Sequence, residues 1–94
     1  MKDIVKVGPV YYDVTEKPFI EIDGERNYAG SCDRDATEIA ILADLSDERK
    51  EATFYHELMH AMLFEAGYSL ADHDEELIDR VSKVLHQVID DNYK

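Results

Sequence analysis

Two histidines and a glutamate near the middle of the chain have the residue types and the spacing of a zinc site. His56, Glu57 and His60 form the pattern H-E-x-x-H. On an α-helix, residues four apart lie on one face, so both imidazoles can point at a single ion. Two imidazole nitrogens suit a tetrahedral Zn2+, and the carboxylate of Glu57 can accept a proton from a water that the metal activates. The motif therefore predicts zinc bound by His56 and His60, with Glu57 as the catalytic base.

The residues around this motif are mostly apolar. From Ala52 to Phe64, nearly every residue outside the motif is apolar, which is typical of a buried helix. Buried imidazole and carboxylate groups are costly unless they are paired or bound to a metal. The alternative interpretation is a pair of hydrogen-bonded core histidines and a salt-bridged glutamate. We favour the metal, because a chance match to the pattern need not fall on a buried helix.

A catalytic zinc usually has three protein ligands and one open position, so one further ligand is expected. The segment after the motif helix contains one histidine and four carboxylates: His73, Asp74, Glu75, Glu76 and Asp79. Glu75 lies three residues before the apolar Ile78, so it borders the buried face of a second predicted helix. Helical phase therefore favours Glu75 as the third ligand.

The other polar residues of this segment are alternative ligands or residues that support a ligand. Asp79 lies one turn beyond the favoured ligand, on the same edge, and could accept a hydrogen bond from a ligating histidine. His73 is the main alternative third ligand, followed by Glu76 or Asp74. His86 lies two turns farther along, where we expect a partly exposed helix residue.

These residues carry a resemblance to known metallopeptidases. The motif followed by Glu75-x-x-x-Asp79 resembles the Glu-zincin arrangement of the thermolysin type. More narrowly, the chain resembles small phage and prophage zinc-peptidase-like proteins related to the ImmA/IrrE family. The resemblance covers about residues 28 to 89, and its matching segments are residues 32–33, 38–43, 45–50, 75–81 and 85–88.

The resemblance implies a minimal zincin-like peptidase domain. Zn2+ would be bound by His56, His60 and Glu75, and Asp79 would orient a motif histidine. Glu57 would pass the proton of the attacking water to the leaving amine, and the strand at residues 38–43 would align the substrate by main-chain pairing. The implied substrate is a protein or peptide, such as a phage or host regulatory protein.

A non-enzymatic role is the competing hypothesis. Zinc could hold together a small protein-interaction module of phage origin, whose acidic surface binds a partner. Larger members of the family carry a longer helical portion, and some a DNA-binding helix-turn-helix, and we expect neither in this chain. The absence of these additional parts would favour the interaction module. Glu57 favours the enzyme, because a structural zinc site does not require a glutamate at that position.

Composition narrows the class of protein further. The 94 residues predict a single domain spanning 1–94. A net charge of -12, from 22 acidic and 10 basic residues, argues against direct binding of nucleic acid or anionic membrane. Cys32 is the only cysteine, which suits a cytoplasmic protein. We expect neither a signal peptide nor a membrane span, and the oligomeric state stays open.

Strands are predicted in the first half of the chain. Residues 1–14 form extended chain, broken by the turn signal Gly8-Pro9, and residues 19–22 form a further extended piece that ends at Asp23-Gly24. Residues 28–32 and 38–43 form a hairpin around a polar turn. The second strand of this hairpin is apolar on both faces, so we expect it to be covered on both sides.

Helices are predicted in the second half. Ser46 is a good N-cap for a first helix over residues 47–66, and Gly67 is placed to end it. Apolar residues recur at helical spacing in a second helix, from residue 72 or 74 to 90. The tail, residues 91–94, is expected to fray.

Strands followed by helices predict an α+β fold. We expect a minimal zincin-like fold, with a small, mostly antiparallel sheet of three or four strands and two long helices on one face. Contacts of Leu58 and Met62 with the stripe of Leu77, Val81 and Leu85 should form most of the core.

Overall fold

The predicted α+β class is confirmed by the computed structural model, which describes residues 3–94. The first two residues of the predicted extended segment lie outside this range. Four strands form one mixed sheet, and two long helices follow. The elements are β1 (Ile4–Val7), β2 (Val10–Lys17), β3 (Gly30–Asp33), β4 (Glu38–Leu42), α1 (Asp47–Glu65), a single 3-10 turn (Leu70–Asp72) and α2 (Glu75–Tyr93).

The sheet has the strand order β1-β2-β4-β3. Strand β2 pairs antiparallel with β1 across the turn at Gly8, where φ is 57°. Strands β3 and β4 form the predicted antiparallel hairpin. After β2 the chain passes to the far edge of the sheet, where it forms β3. It then turns back and forms β4 between β3 and β2, so β4 lies parallel to β2. The sheet is therefore mostly antiparallel, with one parallel pair.

Strand β4 lies inside the sheet and is covered on both faces. Ile39, Ala40 and Ile41 are all buried, although successive side chains of a strand point to opposite faces. The predicted burial of this strand is confirmed. Both of its edges are paired, with β2 and with β3, so the expected pairing of a substrate with residues 38–43 is wrong. Strand β3 is the edge strand on this side of the sheet.

The loop between β2 and β3 contains the predicted turn, and the extended piece predicted before it lies outside the sheet. Asp23 and Gly24 have φ values of 53° and 82°, and Ile22 pairs with Glu25 in an isolated antiparallel bridge. Residues 19–22 form no strand of the sheet.

Helix α1 begins and ends as its sequence predicts. The Ser46 hydroxyl accepts a hydrogen bond from the Arg49 backbone N–H at 3.3 Å. Gly67 has a φ of 102°, which only glycine adopts readily. Asp74 caps α2 by accepting a hydrogen bond from the Leu77 N–H at 3.1 Å.

The far end of α2 is longer than expected. The helix runs to Tyr93, so the prediction of a frayed tail is wrong. Lys94 pairs with Glu51 of α1 and with Asp90 of α2, and these ion pairs hold the last turn against α1.

Neither helix within residues 3–94 is long and apolar enough to cross a bilayer.

The core lies between the sheet and α1, and α2 packs against α1. The fully buried cluster contains Val7, Tyr12, Ile39, Ile41 and Ala61. The expected core of Met62 against the α2 stripe is wrong, because Met62, Leu77 and Val81 are 43%, 56% and 41% exposed. Ile78, one residue along, is buried in their place.

Candidate metal centre

Three of the predicted ligands converge between α1 and the start of α2. His56 and His60 lie one turn apart on α1, with ring centroids 5.3 Å apart. Glu75 is the first residue of α2. Its carboxylate Oε1 lies 3.0 Å from His60 Nε2, and its Oε2 lies 3.4 Å from His56 Nε2. Both imidazoles therefore present Nε2 to the same carboxylate.

The donor atoms fit a zinc ion in type and spacing. Bonds of about 2.0–2.2 Å in a tetrahedral zinc site separate neighbouring donor atoms by about 3.3–3.6 Å. The separations of 3.0 and 3.4 Å are to the two different oxygens of Glu75, and one ligand atom from each of the three residues lies within 4.8 Å of the others, so side-chain shifts must bring them to that range. Two imidazole nitrogens and a carboxylate oxygen are also a donor set found in catalytic zinc sites. His56, His60 and Glu75 can therefore hold Zn2+.

The site is buried on the α1 side and open on the α2 side. His60 is buried, whereas the Glu75 side chain is 67% exposed. Burial lowers the pKa of His60, although the charge of Glu75 opposes this effect. A lowered pKa favours the neutral imidazole, which is the form that binds a metal. The exposed side leaves room for water and for a substrate.

Glu57, the residue after His56, is buried and lies near the negative charge of Glu75. It is buried, and burial together with the negative charge of Glu75 raises its pKa to about 7. A carboxyl group with a pKa near neutrality can both accept and release a proton. Its surroundings are therefore those of an acid–base group.

A cavity of about 330 Å³ adjoins His56 and Glu57. It lies between the start of β3, the first half of α1 and the middle of α2, and its lining includes Tyr28, Gly30, Thr53, Ser82 and His86. This cavity is a place where part of a bound molecule can reach Glu57.

Gly30 allows β3 to approach α1 beside this cavity. A Cβ atom at Gly30 would lie 2.6 Å from Thr53 Cγ2 and 3.2 Å from Glu57 Cγ. The first of these distances is too short for any contact between carbon atoms. Gly30 is thus a site residue that the sequence predictions missed. A glycine at the start of a strand is a signal of such close approach.

Asp79 lies near the histidine that it was predicted to orient. Its Oδ1 is 3.9 Å from His56 Nδ1, which exceeds the length of a hydrogen bond. Its other oxygen pairs with Lys83 Nζ at 3.2 Å. The orienting role of Asp79 therefore stays a prediction.

The rival third ligands point elsewhere. Asp74 caps α2, and Glu76 pairs with Arg80 at 3.0 Å on the exposed side of the helix. His73 lies beside His60 rather than beside the Glu75 carboxylate, with the two Nδ1 atoms 2.8 Å apart. Among the described residues, Glu75 is the candidate that meets both motif histidines.

A second polar cluster joins the N-terminal half of α1 to the C-terminal half of α2. His86 Nε2 lies 3.3 Å from Glu51 and 2.9 Å from Asp90, and its ring stacks on Tyr55 at 4.7 Å. Lys94 pairs with the same two carboxylates. His86 is thus a half-buried member of an ion-pair network. The i,i+4 spacing of His86, Asp90 and Lys94 was the signal for it.

Comparisons of the chain with protein-family models, with curated proteins and with solved structures give no match. The function of the site must therefore be inferred from the geometry and chemistry of its own residues.

Proposed function

We propose that this protein is a zinc-dependent metallopeptidase whose ion is held by His56, His60 and Glu75. One observation carries the proposal: two Nε2 atoms and one carboxylate converge at zinc-ligand spacing beside the buried Glu57. A structural zinc site needs only the residues that bind the ion. The buried carboxyl group of Glu57 next to a cavity therefore favours a catalytic site over a structural one.

Each residue would have a separate task in peptide hydrolysis. Zinc in this site would polarise the peptide carbonyl and make water a better nucleophile. Glu57 would accept a proton from the attacking water and deliver it to the leaving amine. The burial of Glu57 beside the cavity supports this role. The exposed side of Glu75 supports entry of the substrate.

Strand β3 is the element that we propose for aligning a substrate. It is an edge strand, and its first residue, Gly30, lines the cavity beside Glu57. An extended peptide can add to a free strand edge through main-chain hydrogen bonds. This assignment replaces the internal strand β4.

The substrate and the location of the enzyme are proposed from the resemblance and from the composition of the chain. The resemblance to the ImmA/IrrE family favours a phage or host regulatory protein as the substrate, and that relationship itself stays a prediction. The lone cysteine favours action in the cytoplasm. The net charge of -12 favours basic segments of a substrate over nucleic acid or anionic lipid.

The Glu57→Gln variant tests the proposal. Glutamine is nearly isosteric but cannot accept the proton, so zinc content and folding should persist while hydrolysis falls by about 100-fold or more. The measurement is cleavage of a mixture of quenched-fluorescent peptides, with zinc content determined by elemental analysis. Glu76→Gln, on the exposed side of α2, is the matched control and should cleave normally. Equal cleavage by Glu57→Gln would refute the peptidase.

An interaction module is the second candidate, and the surface of α2 favours it. Leu77, Val81, Val84 and Val88 are exposed along one side of this helix, and such apolar patches often mark contact sites. If the wild-type protein binds zinc but cleaves none of the peptides, the module becomes the better description.

A further inference from the structure

We infer that His73 is a positioning residue that sets the tautomer of His60, so that His60 offers Nε2 to the metal. The inference rests on the proposed function, because it concerns the same ion. It goes further by assigning a task to a residue that is not itself a ligand.

Contacts at its edge and on one side fix the ring of His73. It meets His60 edge to edge and nearly in plane, with centroids 5.0 Å apart and an interplanar angle of 15°. Phe64 lies against it at 4.4 Å. The two Nδ1 atoms are 2.8 Å apart, which is a full hydrogen bond. His60 Nδ1 therefore has a definite partner on the side of the ring away from Glu75.

The linker between the helices delivers His73 to this position. The backbone N–H of His73 closes the 3-10 turn by donating to the Leu70 carbonyl at 3.1 Å. Asp72 stabilises the same turn by accepting a hydrogen bond from the Ser69 hydroxyl at 2.9 Å. Asp74, the next residue, caps α2. The folded linker thus places His73 between α1 and the start of α2.

The positions of the ring protons on His60 and His73 define the role of His73 in metal binding. A neutral His60 that binds zinc through Nε2 carries its proton on Nδ1. That N–H must donate, and the Nδ1 lone pair of a neutral His73 is the acceptor within reach. His73 then carries its own proton on Nε2. In this way His73 stabilises the one tautomer of His60 that leaves Nε2 free.

The same contact serves the metal-free protein with the hydrogen bond reversed. His60 can then carry its proton on Nε2 and donate it to Glu75 Oε1 at 3.0 Å, while His73 Nδ1–H donates to His60. His73 Nε2 is buried without a hydrogen-bond partner among the described residues. In the metal-free protein that nitrogen is a bare lone pair, whereas in the zinc-bound form it carries an unpaired N–H, whose cost the bond from His60 to zinc must exceed. Metal binding therefore shifts both rings to their other tautomers.

Two variants of His73 separate its hydrogen bond from its packing. His73→Phe keeps an aromatic ring between His60 and Phe64 but has no acceptor. We expect it to weaken zinc binding by about 10–100-fold, the usual cost of losing an outer partner of a ligating histidine. His73→Asn places an amide oxygen near the former Nδ1 and should recover most of the affinity. Zinc affinity is measured by competition with a chromophoric chelator.

Tyr11→Phe is the control. It introduces the same residue at an exposed position of β2, outside the two helices that carry the site. We expect its zinc affinity to equal that of the wild type. Thermal unfolding of each variant in the presence of chelator tests whether the metal-free fold is retained.

A measurement on the wild type decides the matter even if a variant fails to fold. In long-range ¹H–¹⁵N NMR spectra of the zinc-loaded protein, we expect the His60 proton on Nδ1 and the His73 proton on Nε2. A His60 proton on Nε2 would overturn the inference, and so would wild-type affinity in His73→Phe. Loss of zinc binding in both His73 variants would make His73 a ligand, which also contradicts the inference. A wild type that binds no zinc would instead refute the proposed function.

Discussion

At the scale of single residues, the two glutamates of the site differ in exposure, and this difference separates their tasks. Glu57 is buried, with a pKa raised to about 7, which suits proton transfer. Glu75 is mostly exposed and faces two imidazole nitrogens, which suits a ligand with an open side. Helical spacing predicted that His56, His60 and Glu75 lie together. It could not predict the place of His73, because that depends on the fold of the linker.

Tyr12 provides the strongest test of a single residue in the core. It is fully buried on β2, and its hydroxyl donates to Glu65 Oε2, at the end of α1, at 2.7 Å. Tyr12→Phe leaves that carboxylate without its partner, so we expect a loss of about 1.5–3 kcal/mol in the free energy of unfolding. Urea denaturation measures it.

Tyr11→Phe is the matched control for this substitution. Tyr11 is the neighbouring tyrosine and is 62% exposed, so its variant should change stability by less than about 0.5 kcal/mol. Equal losses in the two variants would show that the bond to Glu65 contributes nothing.

At the scale of elements, the ends of the helices could be predicted from local sequence, but the order of the strands in the sheet could not. Ser46 and Asp74 cap nearby N–H groups with their side chains, and Gly67 ends α1 through its own backbone conformation. Such local signals place the helix ends to within a few residues. The position of β4 depends on pairings between strands that are distant in sequence. A run that is apolar on both faces predicts that β4 is buried, but it does not say that β3 lies at the edge beyond it.

The approach of β3 to α1 can be tested at Gly30. Gly30→Ala would place a methyl group 2.6 Å from Thr53 Cγ2, so either the strand or the helix must move. We expect a loss of about 1–3 kcal/mol in the free energy of unfolding, as for other overpacked sites, measured by urea denaturation.

A second substitution checks the cause of that loss. Thr53→Ser removes Cγ2, so the double variant should recover part of the stability that Gly30→Ala loses. Recovery should be incomplete, because the Ala40 carbonyl oxygen also lies 3.0 Å from the added atom. Strictly additive effects of the two substitutions would contradict a direct clash.

Helix α2 illustrates a limit of periodicity. Its apolar residues form two stripes about 100° apart around the helix axis, and both fit the sequence pattern. The structure buries Ile78 and leaves Val84 in the other stripe 59% exposed. The pattern predicts a helix correctly but cannot say which stripe faces α1.

Paired alanine substitutions in the two stripes test this orientation. Ile78→Ala opens a cavity against α1 and should cost about 2–5 kcal/mol. Val84→Ala removes a solvent-facing side chain and should cost less than about 0.5 kcal/mol. Thermal unfolding in chelator compares the two without a contribution from metal. A larger loss for Val84→Ala would mean that the outer stripe is covered.

At the scale of the whole molecule, the ion would tie α2 to a small core. Of the described elements, the sheet and α1 supply the buried apolar cluster, whereas α2 contributes little to it beyond contact with α1. The ligands come from both helices. Two contact regions therefore hold α2 in place: the candidate metal centre near its start and the network of Glu51, His86, Asp90 and Lys94 near its end.

Zinc should consequently stabilise the fold through linkage. At free zinc about 100 times the dissociation constant, the folded state gains about 2.7 kcal/mol, which corresponds to roughly 10–20 °C in Tm for a domain of this size. Thermal unfolding with zinc and with chelator measures the shift. Glu75→Ala removes one of three ligands and should abolish most of it, whereas Glu76→Ala, on the exposed side of α2, should keep it. An unchanged shift in Glu75→Ala would mean that the two helices do not share an ion through this carboxylate.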